Sequence, residues 1–223
     1  QALFKESYFR LNVDLPEPEF PETDNISYSE KIDVIIPTLG RPEYLKNVLI
    51  DLKNQQKKPE KVIIVEQNPE PNSSSELIYL KTEEWPFRII HHFTHQTGAC
   101  NARNIALKEV SSDYVFFADD DVRFEENFLL KGLSEMQKLN IDALNLNTLQ
   151  PGETTEFSKL KQWGAFASGA SIVLSKYAKK VIFSLAFEHG FGEDYDYGMK
   201  LRNLGCDTIY HPDLILQHLK APT

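Results

Sequence analysis

Cysteine is nearly absent from this 223-residue chain: Cys100 and Cys206 stand far apart and match no metal-binding or redox spacing. A disulfide framework is thereby excluded, and both are expected as reduced thiols, with a single bond between them as the alternative. Basic charge is also scarce. Lys and Arg number 24 against 33 Asp and Glu, a net charge of −9, which argues against a nucleic-acid binder or a polybasic membrane binder. That balance does not exclude an anionic small molecule, since a cation and a few Arg reverse the field locally. No apolar run approaches the ~20 residues that span a bilayer, and no secretory leader pattern is visible, so the expected location is cytoplasmic. The first residue is Gln1 and not Met, which leaves the native start open. Internal repeats and low-complexity segments are missing too. What remains is 41 % hydrophobic and 26 % charged, the composition of a soluble globular protein long enough for one substantial core.

One stretch stands out: Tyr114-Val115-Phe116-Phe117-Ala118 runs directly into Asp119-Asp120-Asp121. The apolar part reads as a buried strand. Three adjacent carboxylates are too costly to desolvate unpaired. They belong just past the carboxyl end of that strand, where open α/β sheets bind ligands. There they can present hard oxygen ligands to a divalent cation. An acidic turn that caps the next helix is the plainer reading.

Taken in order, residues 1–30 combine a spaced apolar set (Phe4, Tyr8, Phe9, Leu11, Val13) with Pro16, Pro18 and Pro21, and are expected as an extended arm. Ile32 to Ile36 predicts a short strand stopped by Pro37, followed by a loop and a helix opening at Pro42. Lys61 to Val65 predicts a second strand ending at Glu66, Glu76 to Lys81 a short helix, and Phe87 to His91 a third strand. Another helix follows Gly98; the helix after the Asp cluster carries Phe124, Phe128, Leu129, Leu133 and Met136. This alternation is the signature of βαβ units and a mostly parallel sheet. Right-handed crossovers place the strand ends at one edge, so Thr38, Glu66 and Asp119 to Asp121 are expected to converge on one crevice. The second half is less regular. Ile141 to Asn147 and Ser171 to Leu174 read as strands, Lys176 to about Phe187 as a helix, and residues 150–162 as a loop. Asp207 to Tyr210 and Leu214 to Gln217 read as two short closing strands. Gly190-Phe191-Gly192 precedes Glu193-Asp194-Tyr195-Asp196, a loop that delivers carboxylates to a helix start. His91, His92 and His95 are set aside as a zinc site, because adjacent strand residues point to opposite faces.

In chain order these pieces are Val34-Ile35-Ile36-Pro37-Thr38 with Arg41, Val62-Ile63-Ile64-Val65-Glu66, Gly98-Ala99-Cys100-Asn101-Ala102-Arg103-Asn104, Phe116 to Asp121, Gly192 to Asp196 with Leu201-Arg202 and Gly205, and a late His218. The ordered set resembles the family 2 glycosyltransferases over roughly residues 31–218. The resemblance implies an α/β chain with one GT-A domain over 31–223, a Rossmann-like, mostly parallel sheet flanked by helices. It implies transfer of a sugar from a nucleotide-diphosphate donor to a hydroxyl acceptor, with inversion at the anomeric carbon. The implied partners are a UDP-sugar (a GDP- or dTDP-sugar otherwise) and a saccharide or lipid-linked acceptor, with no nucleic acid. Peripheral contact with a membrane remains compatible. The Gln-x-x-Arg-Trp signature and membrane helices of processive polysaccharide synthases are missing, so one sugar per event is expected.

By position in those motifs, Pro37, Thr38, Arg41, Glu66, Arg103, Asp119 and Asp120 would meet the nucleotide. Asp119, Asp121 and His218 would hold Mn²⁺ or Mg²⁺, which offsets the diphosphate charge. Asp194 would be the general base, with Glu193 orienting it or touching the acceptor, and Trp163 could stack on a sugar face. Glu66 departs from the family, which usually has Asp there; Glu still accepts a hydrogen bond from a nucleobase imide. Plainer readings stand beside these: a salt bridge for Arg103, a core position for Trp163, a surface histidine for His218, helix capping for Glu193 and Asp194. Two other functions also fit the fold. One is a non-catalytic binding module with a structural cation, which would need no base. The other is a sugar nucleotidyltransferase, which would want a Gly-rich basic phosphate loop where this chain reads Pro37-Thr38-Leu39-Gly40-Arg41.

Overall fold

Runs of Val and Ile bounded by polar residues form the centre of the molecule. In the computed structural model, residues 30–155, 158–188 and 191–220 are described. Four strands lie side by side in the order β3 (Arg88–Thr94), β2 (Lys61–Gln67), β1 (Ile32–Leu39) and β4 (Tyr114–Ala118), all parallel. Between them run α1 (Pro42–Asn54), the single turn α2 (Tyr79–Thr82) and α3 (Ala99–Leu107). The sheet continues through β8 (Ala170–Leu174), β6 (Ala143–Leu149) and β9 (Thr208–His218) to the two-residue β5 (Val122–Arg123). The equally short β7 (Lys161–Gln162) pairs with β9. The remaining helices are α4 (Phe128–Leu139), α5 (Ser175–Ala178) and α6 (Glu193–Asn203), with a 3-10 turn at Leu185–Phe187. β8 is antiparallel to β4 and β6, whereas β6 and β9 are parallel, so the sheet is mostly parallel but mixed.

Strand alternation divides the core in two. Val34, Ile36, Val62 and Ile64 face α1 and α4, while Ile35, Ile63, Val65 and Phe117 face α3 and α6. The second face is rich in aromatic rings. Phe183 and Tyr197 stack with centroids 4.0 Å apart, Phe166 meets Phe117 edge-on, and the Tyr197 hydroxyl donates to the Ala178 carbonyl at 3.0 Å. These contacts seat α6, and with it the Glu193-Asp194 pair, against the sheet. Cys100 and Cys206 are both buried and free on this face, and burial pushes each thiol up to about 12.

Several elements differ from the sequence expectation. β1 does not stop at Pro37. Its pairing with β4 ends at Ile35, so the last residues of β1 carry a partner on one side only, where a missing N–H is tolerated. Phe124 precedes α4, and the short helix expected from Glu76 is the turn at Tyr79–Thr82. The helix expected from Lys176 to Phe187 is only α5 followed by the 3-10 turn. Asn104 explains the break, because its side chain bonds both the N–H and the carbonyl of Phe183, each at 2.8 Å. The two closing strands are one, β9. Its register slips between the pairs Leu146–His211 and Asn147–Ile215, so Pro212, Asp213 and Leu214 form a bulge in the ladder, where Pro has no N–H to contribute. The expected arm over residues 1–30 lies outside the described residues but for Glu30. No described helix is long and apolar enough to cross a membrane.

Candidate active site

Parallel pairing of β1 with β4 brings Thr38 and the Asp cluster to one sheet edge. Each Asp there has a cationic neighbour, Arg41 being shared by two of them. Asp120, fully buried, accepts from the Thr38 hydroxyl at 2.6 Å, and the Arg41 guanidinium lies 3.0 Å from its other oxygen. Asp121 meets Arg41 Nη1 at 3.1 Å and His218 Nε2 at 3.2 Å. Asp119 accepts from Arg103 Nη2 at 2.8 Å. His218 reaches the cluster because β9 pairs with β5, opposing His218 to Val122, while the Leu219 N–H bonds the Asp121 carbonyl at 2.9 Å. Burial pushes the Asp120 carboxyl up to about 6, against the pull of Thr38 and Arg41. The hydrogen bond to Asp121 raises the His218 imidazole above its ordinary value.

Asp119, Asp121 and His218 present two oxygens and a nitrogen within 4.8 Å of one another. That span is close to the ~4–5 Å between opposite ligands of one divalent cation, and the oxygen and imidazole donors fit Mn²⁺ or Mg²⁺. Asp120 stands apart from this set and turns inward to fix Thr38 and Arg41. Gly169 gives Asp119 its room, since a Cβ there would lie 2.0 Å from Asp119 Oδ2.

The other carboxylates come from α6. Asp194 Oδ1 accepts from the Ser168 N–H at 3.1 Å, and its carbonyl accepts from the Phe166 N–H at 3.0 Å. Burial raises the Asp194 carboxyl above its ordinary range and outweighs the Ser168 hydrogen bonds and the nearby Arg103, while Glu193 adds to the rise. A carboxylate so placed is a stronger proton acceptor than one in water. Glu193 bonds the Gly192 N–H at 3.1 Å.

A crevice of about 480 Å³ unites these groups: Pro37, Thr38, Arg41, Arg103, Asp119, Asp120, Asp121, Glu193, Asp194 and His218 all line it. Two expected residues do not. Glu66 lies on the opposite face of β2 from Val65, and its oxygens bond the Glu76 N–H at 2.9 Å and His91 Nε2 at 2.8 Å. Its neighbour Gln67 lines the crevice instead and ties the Gly98 N–H to the Thr38 carbonyl. Thr38, the register partner of Glu66, does line the crevice, so it is the pairing with Glu76 and His91 that holds the Glu66 carboxylate away from it. Trp163 lines a neighbouring cavity with Tyr210. His92 and His95 pair elsewhere, with Glu109 at 3.3 Å and the Asn68 carbonyl at 3.0 Å.

Sequence reasoning missed Gln67, Ser168, Gly169 and Glu188. The Glu188 carboxylate accepts from the Asn101 N–H at 3.0 Å in the first turn of α3, and Gly98 (φ 137°) has no room for a Cβ beside it. Gln67 was signalled as a second polar residue at a strand end; the other three depend on long-range packing that no local pattern encodes.

Comparison with known proteins gives this geometry its family. The pattern described as Glycosyl transferase family 2 matches residues 33–192. The chain is 27 % identical over 111 residues to the GalNAc(5)-diNAcBac-PP-undecaprenol beta-1,3-glucosyltransferase of Campylobacter jejuni, a match covering 49 % of this chain and 35 % of that protein. It is 29 % identical over 100 residues to Glycosyltransferase GlyA of Streptococcus pneumoniae, covering 45 % of this chain and 14 % of that one. The matched stretch is thus little more than a third of the first relative and a far smaller part of the second. In structure the chain resembles S. aureus TarS with UDP bound, at TM-score 0.69 and 18 % identity, covering 86 % of this chain and 61 % of that one. The complex of TarS with UDP-GlcNAc gives 0.67 at the same identity, covering 86 % and 59 %. At that identity the likeness speaks for the GT-A fold, and the match over residues 33–192 speaks for the family. The chain belongs to glycosyl transferase family 2.

Proposed function

We propose that this chain transfers one sugar from a nucleotide-diphosphate donor, a UDP-sugar by preference, to a hydroxyl of a saccharide or lipid-linked acceptor, with inversion at the anomeric carbon. One observation carries the reading: the donor set Asp119, Asp121 and His218 and the buried carboxylate Asp194 line a single crevice from different elements. The TarS complexes with UDP and UDP-GlcNAc favour a uridine donor, and the Campylobacter relative's name points to a lipid-linked acceptor.

In this reading Asp119, Asp121 and His218 hold Mn²⁺ or Mg²⁺. When bound, the cation supplies Lewis-acid stabilisation of the leaving diphosphate. Arg41 and Arg103 add fixed positive charge beside it and can turn their forks of donors to diphosphate oxygens. Pro37 and Thr38 form the nucleotide wall, with Asp120 holding Thr38 and Arg41 in place. Asp194 takes the acceptor proton through a carboxylate already made more basic by burial, and Ser168 fixes its orientation. Glu193 borders the acceptor side.

Calorimetry of UDP with the full chain tests the reading. Tight binding with Mn²⁺, weak binding in EDTA, and loss of the cation's effect in Asp121→Ala are expected. ADP should bind more weakly than UDP. Equal UDP affinity with and without the cation, in wild type and variant alike, contradicts the cation's part. No UDP binding under any condition contradicts the donor.

A further inference from the structure

A second cavity, of about 660 Å³, lies beside the crevice and shares Thr148 and Ala167 with its lining. Register explains its floor and wall. Ser171 on β8 opposes Asn145 on β6, which opposes Tyr210 on β9, so the three side chains stand in one row on one sheet face. Trp163, just past β7, bonds the Thr208 carbonyl through its backbone N–H at 3.0 Å, and its ring lies 5.5 Å from that of Tyr210 at 36°. The result is an aromatic wall beside a polar floor.

Asn145 is the informative residue. It is 1 % exposed, and its Oδ1 accepts from the Ala167 N–H and the Ser171 hydroxyl, each at 2.9 Å. A backbone N–H can only donate, which fixes the amide's orientation: the oxygen faces Ala167, so the NH₂ is on the other side. That NH₂ has no hydrogen-bond partner among the described residues. A buried donor left this way is rare in a native fold, and a ligand oxygen would satisfy it.

Charge separates the two cavities. Arg41 and Arg103 line the crevice, whereas among the described residues no Lys or Arg lines the second cavity and Glu153 is the one charged residue that does. A diphosphate fits the first and is disfavoured in the second. A neutral, hydroxyl-rich ring with one apolar face suits an aromatic wall, an amide donor and a rim of Thr148 and Thr154. The segment joining the cavities is short. Ala167 holds Asn145, Ser168 holds Asp194, and Gly169 makes room for Asp119. A ring seated on Asn145 therefore lies next to the stretch that positions the base.

We propose that this second cavity, with Trp163 and Tyr210 as its wall and Asn145 as its floor, is the seat of a saccharide acceptor. The inference rests on the donor reading above and adds the acceptor's class and place. The test uses methyl glycosides of glucose, galactose, N-acetylglucosamine and N-acetylgalactosamine. They are titrated into ¹⁵N-Trp-labelled full chain, with and without saturating UDP and Mn²⁺. At least one should move the indole N–H signal of Trp163 and leave that of Trp85, which lies by Phe87, in place. Asn145→Asp, which keeps the accepting oxygen and loses the donor, should weaken that glycoside about tenfold while UDP affinity stays within about twofold. Trp163→Leu, read by ligand-observed saturation-transfer NMR of the same glycoside, guards against a fold defect in the first variant and should weaken binding as much. If no glycoside moves Trp163 in either condition, or both variants bind as wild type does, the inference is overturned. UDP binding is read in the same samples, so a failed donor reading shows itself separately.

Discussion

The outward carboxylates of the Asp cluster and the carboxylate of α6 are held differently. On the β1–β4 side, Asp119 and Asp121 face Arg or His within 3.2 Å, whereas Asp120, also beside Arg41, is fully buried and raised by that burial as Asp194 is. On the α6 side, Asp194 is held by Ser168 hydrogen bonds, and burial dominates its titration. Charge pairing prepares the first group to share its oxygens with cationic partners and the anions these attract. In the proposed reading, desolvation prepares the second to take a proton. On that reading, two tasks are served by the same residue type through its surroundings.

The largest effect should come from the α6 side. Asp194→Asn should lower kcat about 10²–10⁴-fold and leave UDP affinity nearly unchanged, since Asn keeps the size and loses the basicity. Turnover within a few-fold of wild type would remove Asp194 as base. The β1–β4 side should answer through binding instead. Gly169→Ala puts a Cβ 2.0 Å from Asp119 Oδ2, so Asp119 must shift. Cation-dependent UDP affinity should fall about tenfold with kcat less affected, and calorimetry against Mn²⁺ concentration checks this.

The pH profile sharpens the contrast. Burial raises the Asp194 carboxyl, and only the ionised form accepts a proton, so the rising limb of kcat/KM should lie above the ordinary carboxylate range. The Ser168 hydroxyl lowers that carboxyl; Ser168→Ala should therefore move the limb to still higher pH. An unmoved limb would detach it from Asp194. The smallest effect on binding is expected at Glu66, whose oxygens hold the Glu76 N–H and His91. Glu66→Gln should cost about 1–3 kcal/mol of stability in denaturant titration while changing UDP affinity little.

Legibility in the sequence follows the same division. The β1–β4 side is local: an apolar run, then Asp119 to Asp121, on a regular strand–helix rhythm, and the parallel sheet and its ligand edge follow from it. Glu66 departs from the expected convergence because its oxygens are taken by the Glu76 N–H and His91, partners the run itself does not announce. The other half is held by distant contacts. Asn104 closes on Phe183 and ends a helix that periodicity favours, and the bulge at Pro212 joins what read as two strands. That Asp194 and His218 reach the crevice was legible through their motif positions. Ser168 and Gly169, which act through Asp194 and Asp119, carry no pattern of their own.

The central claim is that Asp194 and the Asp119–Asp121–His218 set act on opposite sides of the anomeric carbon. Donor hydrolysis tests it without any acceptor, because water can take the acceptor's place. Full chain is incubated with Mn²⁺ and an α-linked UDP-sugar, and the freed sugar is followed by proton NMR before it mutarotates. The account predicts the β-anomer as first product, formed more slowly by Asp194→Asn. The α-anomer as first product would contradict it.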